Sequence, residues 1–338
     1  MHSAARQLLK ERTFDSGDWT LEELVGLKLS QGLTISVILP ALNEELTVGG
    51  IVSEIREWLV EESTARTGTP LIDELVVLDS GSTDDTSLVA AQAGATVIHR
   101  DEVFADIPAV TGKGEAMWRG LGATQGDLVV FVDADLRSFT SSYVIGLLGP
   151  LLADPKINFV KAFYERPLIE GDRIISNGGG RVTELVARPL LNLYWPELAG
   201  VMQPLAGEYA ARRTLLEQLP FHCGYGVDIA LLIDSWDLMG IRGIAQVDLG
   251  TRVHRNHDTP KLGRMAAEVM QTALKRAGIE PTPSSSHSSP NEGTAFLAQF
   301  ENAADSYSVQ PHEIEAIERP PLALSAQYHA HRAMHTTT

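Results

Sequence analysis

Residues Leu128 to Val132 form a run of five apolar residues, four of them β-branched or aromatic, that ends directly in Asp133-Ala134-Asp135. An unbroken apolar run of this kind suits a strand buried on both faces of a parallel sheet. In open α/β sheets ligands sit at the carboxyl ends of the strands. Two carboxylates there are hard oxygen donors of the kind that hold Mg²⁺ or Mn²⁺, and through the ion a diphosphate. An Asp pair that merely ends a strand and caps the next turn is the plainer alternative.

The rest of the chain decides between them. Ile35 to Leu39 reads as a first strand and runs into Pro40-Ala41-Leu42-Asn43-Glu44-Glu45. Ile51, Ile55, Trp58 and Leu59 follow at helical spacing, and Arg66 to Pro70 breaks the pattern. Glu74 to Leu78 leads into Asp79-Ser80-Gly81-Ser82-Thr83-Asp84-Asp85, then a helix over Thr86 to Ala93 and a short strand over Ala95 to Ile98. Gly112-Lys113-Gly114 precedes a helix marked by Met117 and Leu121. This alternation predicts a mostly parallel, doubly wound sheet with helices on both faces. Polar clusters at three strand ends, together with the Gly-Lys-Gly, point to a nucleotide cleft.

Trp19 to Leu29 reads as a short amphipathic helix ahead of the first strand. Beyond Pro150, Phe159 to Phe163 and Ala245 to Val253 look extended. A helix runs from the glycine-rich Asn177 stretch through Leu193, and others cover Thr214 to Leu219, Asp228 to Met239 and Leu262 to Ala277. From Pro281 to Gly293 the Ser, Pro and His composition predicts a flexible linker.

A formal charge of −17, from 44 acidic against 27 basic residues, argues against a general nucleic-acid or anionic-membrane surface. An anionic ligand must then be met locally, by a few Lys, Arg and metal ions. No apolar run approaches the roughly 18 residues needed to cross a membrane, and Met1 to Arg12 lacks the apolar core of a signal peptide. The single cysteine, Cys223, excludes an internal disulfide and a cysteine-built metal site. A cytoplasmic enzyme is the expectation.

Several side chains carry candidate chemistry. Asp79 and Ser80, at a strand end, are placed to meet a base or ribose, whereas Asp84 and Asp85 fall where carboxylates cap a helix. Lys113 sits on a glycine loop that can approach a phosphate closely, although the stretch is no P-loop; a solvated surface lysine is the alternative. Gly178-Gly179-Gly180-Arg181-Val182-Thr183 places backbone N–H groups, a guanidinium and a hydroxyl at a helix start, an anion site suited to a second, phosphorylated substrate. A neutral His254 would suit a third metal ligand beside Asp135, though a lone histidine is usually structural.

Taken together, Asn43-Glu44-Glu45, Asp79 to Asp85 and Asp133-Ala134-Asp135 resemble the GT-A glycosyltransferases. Gly112 to Ala116, Gly178 to Leu191, Gln203 to Ala210, Gly224 to Asp228 and Val253 to Asn256 narrow the resemblance to the retaining family GT81, that of the glucosyl-3-phosphoglycerate synthases, over about Thr34 to Gly278. The resemblance implies a GT-A fold and transfer of glucose from UDP-glucose to the 2-hydroxyl of 3-phosphoglycerate, with Mg²⁺ or Mn²⁺. Carried over by position, Pro40, Ala41, Leu42 and Glu44 line the nucleotide site with Ser80, Lys113 and Asp133. Asp135 and His254 bind the metal. Gly180, Arg181 and Thr183 hold the acceptor, with Tyr225 and Asn256 nearby, and Arg252 faces the diphosphate. Asp135, Lys113, Asp228 and Arg252 are the residues expected to carry catalysis. Asp228 departs from the family, whose members have Glu there, and this puts reach and donor preference in question. Ala134 replaces a serine and leaves the carboxylates alone.

The implied organisation is an N-terminal extension over 1–31, a nucleotide-sugar-binding half over 32–150, an acceptor-binding half with dimerisation helices over 151–280, and a flexible tail over 281–338. A homodimer is implied, with no nucleic acid or membrane as partner. GDP-mannose as donor is the nearest alternative, and a catalytically silent sugar-nucleotide sensor is a rival of another class. A dinucleotide dehydrogenase fails because no first strand leads into G-x-G-x-x-G.

Overall fold

A computed structural model of the chain describes residues 1–165, 168–170, 173–175, 180–251, 259–279, 295–303, 306–314 and 316–335. Helix α1 (Ser3–Glu11), strand β1 (Thr13–Asp15) and helix α2 (Leu21–Gln31) come first. Thr20 and Glu23 cap α2 reciprocally, each side chain accepting the other's backbone N–H. Next are β2 (Ile35–Ala41), α3 (Val48–Ile55), a π-helical stretch Arg56–Glu62 leading into α4 (Ser63–Thr67), and β3 (Glu74–Asp79). Then come α5 (Thr86–Ala93), β4 (Thr96–His99), α6 (Lys113–Ala123) and β5 (Leu128–Phe131).

After α7 (Ser142–Ala153) follow β6 (Phe159–Glu165) and a short antiparallel ladder of β7 (Leu168–Glu170) with β8 (Arg173–Ile175). A π-helical stretch Thr183–Ala187 continues into α8 (Arg188–Tyr194), then β9 (Tyr209–Arg212), α9 (Arg213–Leu216), β10 (Phe221–His222) and α10 (Val227–Met239). The chain goes on through β11 (Ile244–Thr251), α11 (Thr259–Arg276), a hairpin of β12 (Ala295–Ala303) with β13 (Ser306–Ile314), β14 (Glu318–Arg319) and α12 (Ala326–His335).

One sheet takes eight of these strands in the order β1-β11-β6-β9-β5-β2-β3-β4. Neighbours are parallel except where β9 runs against β5 and β6. Side chains alternate between the faces as a pleated strand requires. Val37 and Leu39 of β2 and Leu128 and Val130 of β5 enter a core with α2, α3 and α7, while Ile38, Val129 and Phe131 enter a second core with α6 and α10. All four residues of β5 are buried, the two-faced burial that its apolar run predicts. The strand order turns around between β2 and β5, where open α/β sheets leave a crevice at the strands' carboxyl ends.

Two expectations give way. Thr214 to Leu219 contributes only to the four-residue α9, because Leu219 precedes Pro220 and is steered out of the helical region. The stretch 281–338 is not a loose tail at its far end. Phe221 and His222 of β10 pair with Arg319 and Glu318 of β14, and Leu322 and Tyr328 are buried in the second core. A few long-range bonds make this attachment, and composition does not register them: Trp118 Nε1 donates to the Pro320 carbonyl at 3.0 Å and Cys223 N–H to the Ile317 carbonyl at 2.9 Å. The expected linker from Pro281 to Gly293 lies outside the described residues.

The strongest of these bonds reach Glu115, fully buried in α6. Its carboxylate accepts from Arg119 Nε at 2.7 Å and from Arg319 Nε and Nη2 at 2.5 and 2.9 Å. Burial pushes this carboxyl up, but the two guanidiniums overcome it and hold the group below the usual carboxylate range. Its contribution to stability is therefore complete at neutral pH and is lost as the pH falls through the lowered value. Replacing Arg319 by Met leaves the buried carboxylate one guanidinium and should cost about 2–3 kcal/mol. Urea unfolding at neutral pH should show this as a lower midpoint, with a deficit that shrinks in acid; an unchanged midpoint would show that the C-terminal strand adds nothing to stability.

Candidate active site

A cavity of about 590 Å³ opens at the carboxyl ends of β2 and β5. Of the residues singled out from the sequence, Pro40, Ala41, Leu42, Glu44, Ser80, Lys113, Asp133, Asp135, Gly180, Arg181, Thr183, Tyr225 and Asp228 all line it. Arg252, His254 and Asn256 lie outside the described residues, as do Gly178 and Gly179.

The loops that carry these side chains are tied to one another. Asn43 sits at φ +57°, a left-handed conformation that Asn tolerates better than most residues. Its N–H donates to Ser82 Oγ at 3.0 Å, and its side-chain oxygen accepts the Thr83 N–H at 2.8 Å. The Thr47 hydroxyl donates to the Ala134 carbonyl at 2.7 Å, linking the loop after β2 to the Asp-Ala-Asp. Asp79 differs from its expected role. It is buried and accepts the N–H groups of Gly81 and Ser82 and the Ser87 hydroxyl, so it shapes the loop while Ser80 faces the cavity. Asp84 accepts the Thr86 N–H at 3.1 Å, as a capping residue should. Asp85 makes no capping bond with its side chain, and its N–H donates to the Glu45 carboxylate instead.

Lys113 owes its place to its two glycine neighbours. The Glu115 N–H donates to the Cys223 carbonyl at 3.1 Å, docking the N-terminus of α6 on the backbone that follows β10. A Cβ on Gly112 would overlap the Cys223 carbonyl, and one on Gly114 the His222 carbonyl. So docked, Lys113 Nζ lies 2.8 Å from Asp133 Oδ1 and 3.5 Å from Asp228 Oδ1. Burial alone would lower the lysine's pKa, but the Asp133 and Asp228 carboxylates more than offset it, and Lys113 stays protonated well above its ordinary value. Asp228, in the first turn of α10, is itself buried; burial outweighs its two lysine neighbours, Lys113 and Lys161, and raises its carboxyl above the usual range.

The opposite wall belongs to α11. Lys261, Leu262, Met265 and Glu268 recur at helical spacing along the cavity, and Glu268 accepts the Tyr225 N–H at 2.7 Å. The sequence signals this helix, but nothing in its spacing says that one face borders a ligand site. Gly180, at φ +74°, turns the chain into a helical start, where the Glu184 N–H donates to the Gly180 carbonyl at 3.0 Å. Arg181 follows it, exposed at the cavity.

Glu44, Asp133 and Asp135 present hard oxygen donors to the cavity. Among the described residues no group of three His, Cys, Asp or Glu side chains is spaced to enclose a metal ion. Mg²⁺ and ions like it are commonly held by one or two carboxylates with phosphate oxygens completing the shell. The carboxylates present fit that mode.

Because Gly114 lets α6 dock, Gly114→Ala should lift the helix from the His222 carbonyl and draw Lys113 out of place. Calorimetric titration with a nucleoside diphosphate should then show about tenfold weaker binding, roughly 1.4 kcal/mol, in protein whose circular dichroism is unchanged. Parental affinity would show that the glycine has no part in placing the lysine.

Comparison with known proteins agrees with this geometry. Residues 36–177 match the family model described as glycosyl transferase family 2. The chain is 46% identical over 318 residues to the glucosyl-3-phosphoglycerate synthase of Mycobacterium tuberculosis, covering 92% of this chain and 91% of that one. It is 41% identical over 321 residues to the glucosyl-3-phosphoglycerate synthase of Petrotoga mobilis, covering 95% and 96%. A crystal structure of the M. tuberculosis enzyme in complex with Mn²⁺, UDP-glucose and phosphoglyceric acid superposes with a TM-score of 0.77 at 46% identity, over 92% of this chain and 97% of that one. With its GT-A sheet and with relatives this similar over nearly its whole length, the chain belongs to the glucosyl-3-phosphoglycerate synthase family.

Proposed function

We propose that the protein transfers glucose from UDP-glucose to the 2-hydroxyl of 3-phosphoglycerate, with retention, giving glucosyl-3-phosphoglycerate. The observation that carries this reading is a single cavity in which Asp133, Asp135 and Lys113 stand at the sheet's switch point and Arg181 and Thr183 stand at a helix start. The first group suits a nucleoside diphosphate, the second a phosphorylated acceptor.

Pro40, Ala41, Leu42, Glu44 and Ser80 line the donor side, with Asp133 toward the ribose. Gly180, Arg181 and Thr183 hold the acceptor's phosphate or carboxylate, with Tyr225 lining the same cavity, and the family resemblance gives Asn256 a part in the same binding. Asp135 and His254 hold a divalent ion, Mg²⁺ or Mn²⁺, which when bound supplies positive charge against the departing diphosphate. Lys113 adds fixed positive charge where negative charge grows as the bond to the sugar breaks, and the family resemblance gives Arg252 the same part. The acceptor hydroxyl forms its bond to the anomeric carbon from the face the diphosphate leaves. The electron pair goes to the leaving phosphate oxygen, which takes the hydroxyl proton. Asp228 faces the buried Lys161 ammonium at 3.9 Å, and a carboxylate so paired is a poor nucleophile. A front-face transfer fits this better than double displacement through a covalent intermediate.

A homodimer is the expected assembly, supported by the exposed Phe300, Tyr307 and Val309 of the β12–β13 hairpin. No helix among the described residues is long and apolar enough to cross a membrane. Both substrates are phosphorylated anions that do not cross membranes unaided, which supports a cytoplasmic location.

Purified protein given 3-phosphoglycerate and Mg²⁺ should form product from UDP-glucose in preference to GDP-glucose and GDP-mannose. Preference for GDP-mannose would move the protein to the mannosyl reaction, and no transfer from any donor would overturn the reading. A chelator should stop turnover and added Mn²⁺ should restore it. Asp135→Ala should abolish transfer, and Lys113→Ala should slow it by about a hundredfold; near-parental rates in either variant would remove that residue from the mechanism.

A further inference from the structure

Lys161 stands in the middle of β6, opposite Tyr209 in register, and is fully buried. Its Nζ lies 4.2 Å from the centroid of the Tyr209 ring, and Phe131 and Phe159 hold that ring with centroids 5.5 Å away. No hydrogen-bond partner for the ammonium stands among the described residues. Asp228 Oδ1, at 3.9 Å, is the carboxylate paired with it there. Burial brings the Lys161 ammonium down to about 8. A buried lysine with no hydrogen bond is a standing cost that a methionine of similar length would avoid. A pair made for stability would be closer and hydrogen-bonded.

Asp228 explains the arrangement. It lines the cavity, its Oδ1 faces both Lys161 and a second neighbour, Lys113 at 3.5 Å, and Lys113 leans toward Asp133 at 2.8 Å. A diphosphate in the cavity offers the Lys113 ammonium phosphate oxygens in competition with the carboxylates it already faces. Asp228 would then be a buried anion whose nearest cation had turned away.

We propose that Lys161 is a positioning residue for the transfer reaction: packed beneath Asp228, it fixes and balances that carboxylate while Lys113 engages the diphosphate. This rests on reading the cavity as the donor site. Asp228 then meets the transferring sugar as a hydroxyl acceptor of fixed position, and Lys161 never touches substrate.

The test compares parent, Lys161→Met, Asp228→Asn and the double variant in steady-state transfer from UDP-glucose. Parental turnover is measured first; its absence overturns the transfer reading and this inference with it. With turnover established, K161M should lower kcat about tenfold or more and leave KM for UDP-glucose within about threefold. K161R, which keeps the charge, should recover part of that loss. In the D228N background, K161M should change kcat by less than about twofold, because its effect passes through Asp228. Parental kcat in K161M, or the same loss in the D228N background, overturns the proposal. If K161M does not fold, K161Q carries the comparison; failure of both to reach the parental circular dichroism assigns Lys161 to the fold and likewise overturns it.

Discussion

One ammonium group, that of Lys113, stands between two carboxylates that reach it from distant parts of the chain. Asp133 arrives at the end of β5 and Asp228 in the first turn of α10. Each of these groups is costly to bury alone, so the three are stable only when the central sheet and α10 have both docked on α6. The same contact that completes the core thereby assembles the cavity. Fold and site share one electrostatic knot, and the glycines on either side of Lys113 are the steric condition for tying it.

The central sheet was legible because it speaks in the plainest sequence signal, the apolar run. Val129 and Phe131 point one way and Val130 the other, so every position of β5 had to be apolar. The polar turns after β2, β3 and β5 were legible as clusters, but not the division of labour inside them. Asp79 and Ser80 look equally available in sequence, yet the first is turned inward to hold N–H groups and the second faces the cavity. That difference is one of side-chain direction, which adjacency in sequence does not carry.

Other parts were silent for a different reason. The wall made by Lys261, Met265 and Glu268 reads only as a helix, because amphipathic spacing marks a face without saying what the face meets. Lys161 looks like an ordinary alternating residue of a strand, and only its depth gives it meaning. The far end of the C-terminal region was hidden by its composition, since Arg319, Pro320 and Tyr328 attach it through a few hydrogen bonds to Glu115, Trp118 and Arg213. A formal charge of −17 also conceals what matters locally, where Arg100, Lys113, Arg181 and Lys261 reach the cavity beside its five carboxylates, Glu44, Asp133, Asp135, Asp228 and Glu268.

The pairing of Glu115 with Arg319 spans 204 residues of chain. During synthesis, the helix that bears Lys113 leaves the ribosome long before its second guanidinium exists. Until then Arg119, its neighbour one turn along, is the one guanidinium that Glu115 has, and a carboxylate in that state is costlier to bury. The fully paired Glu115, and with it the docked start of the helix that carries Lys113, is a contact that only the finished chain can make.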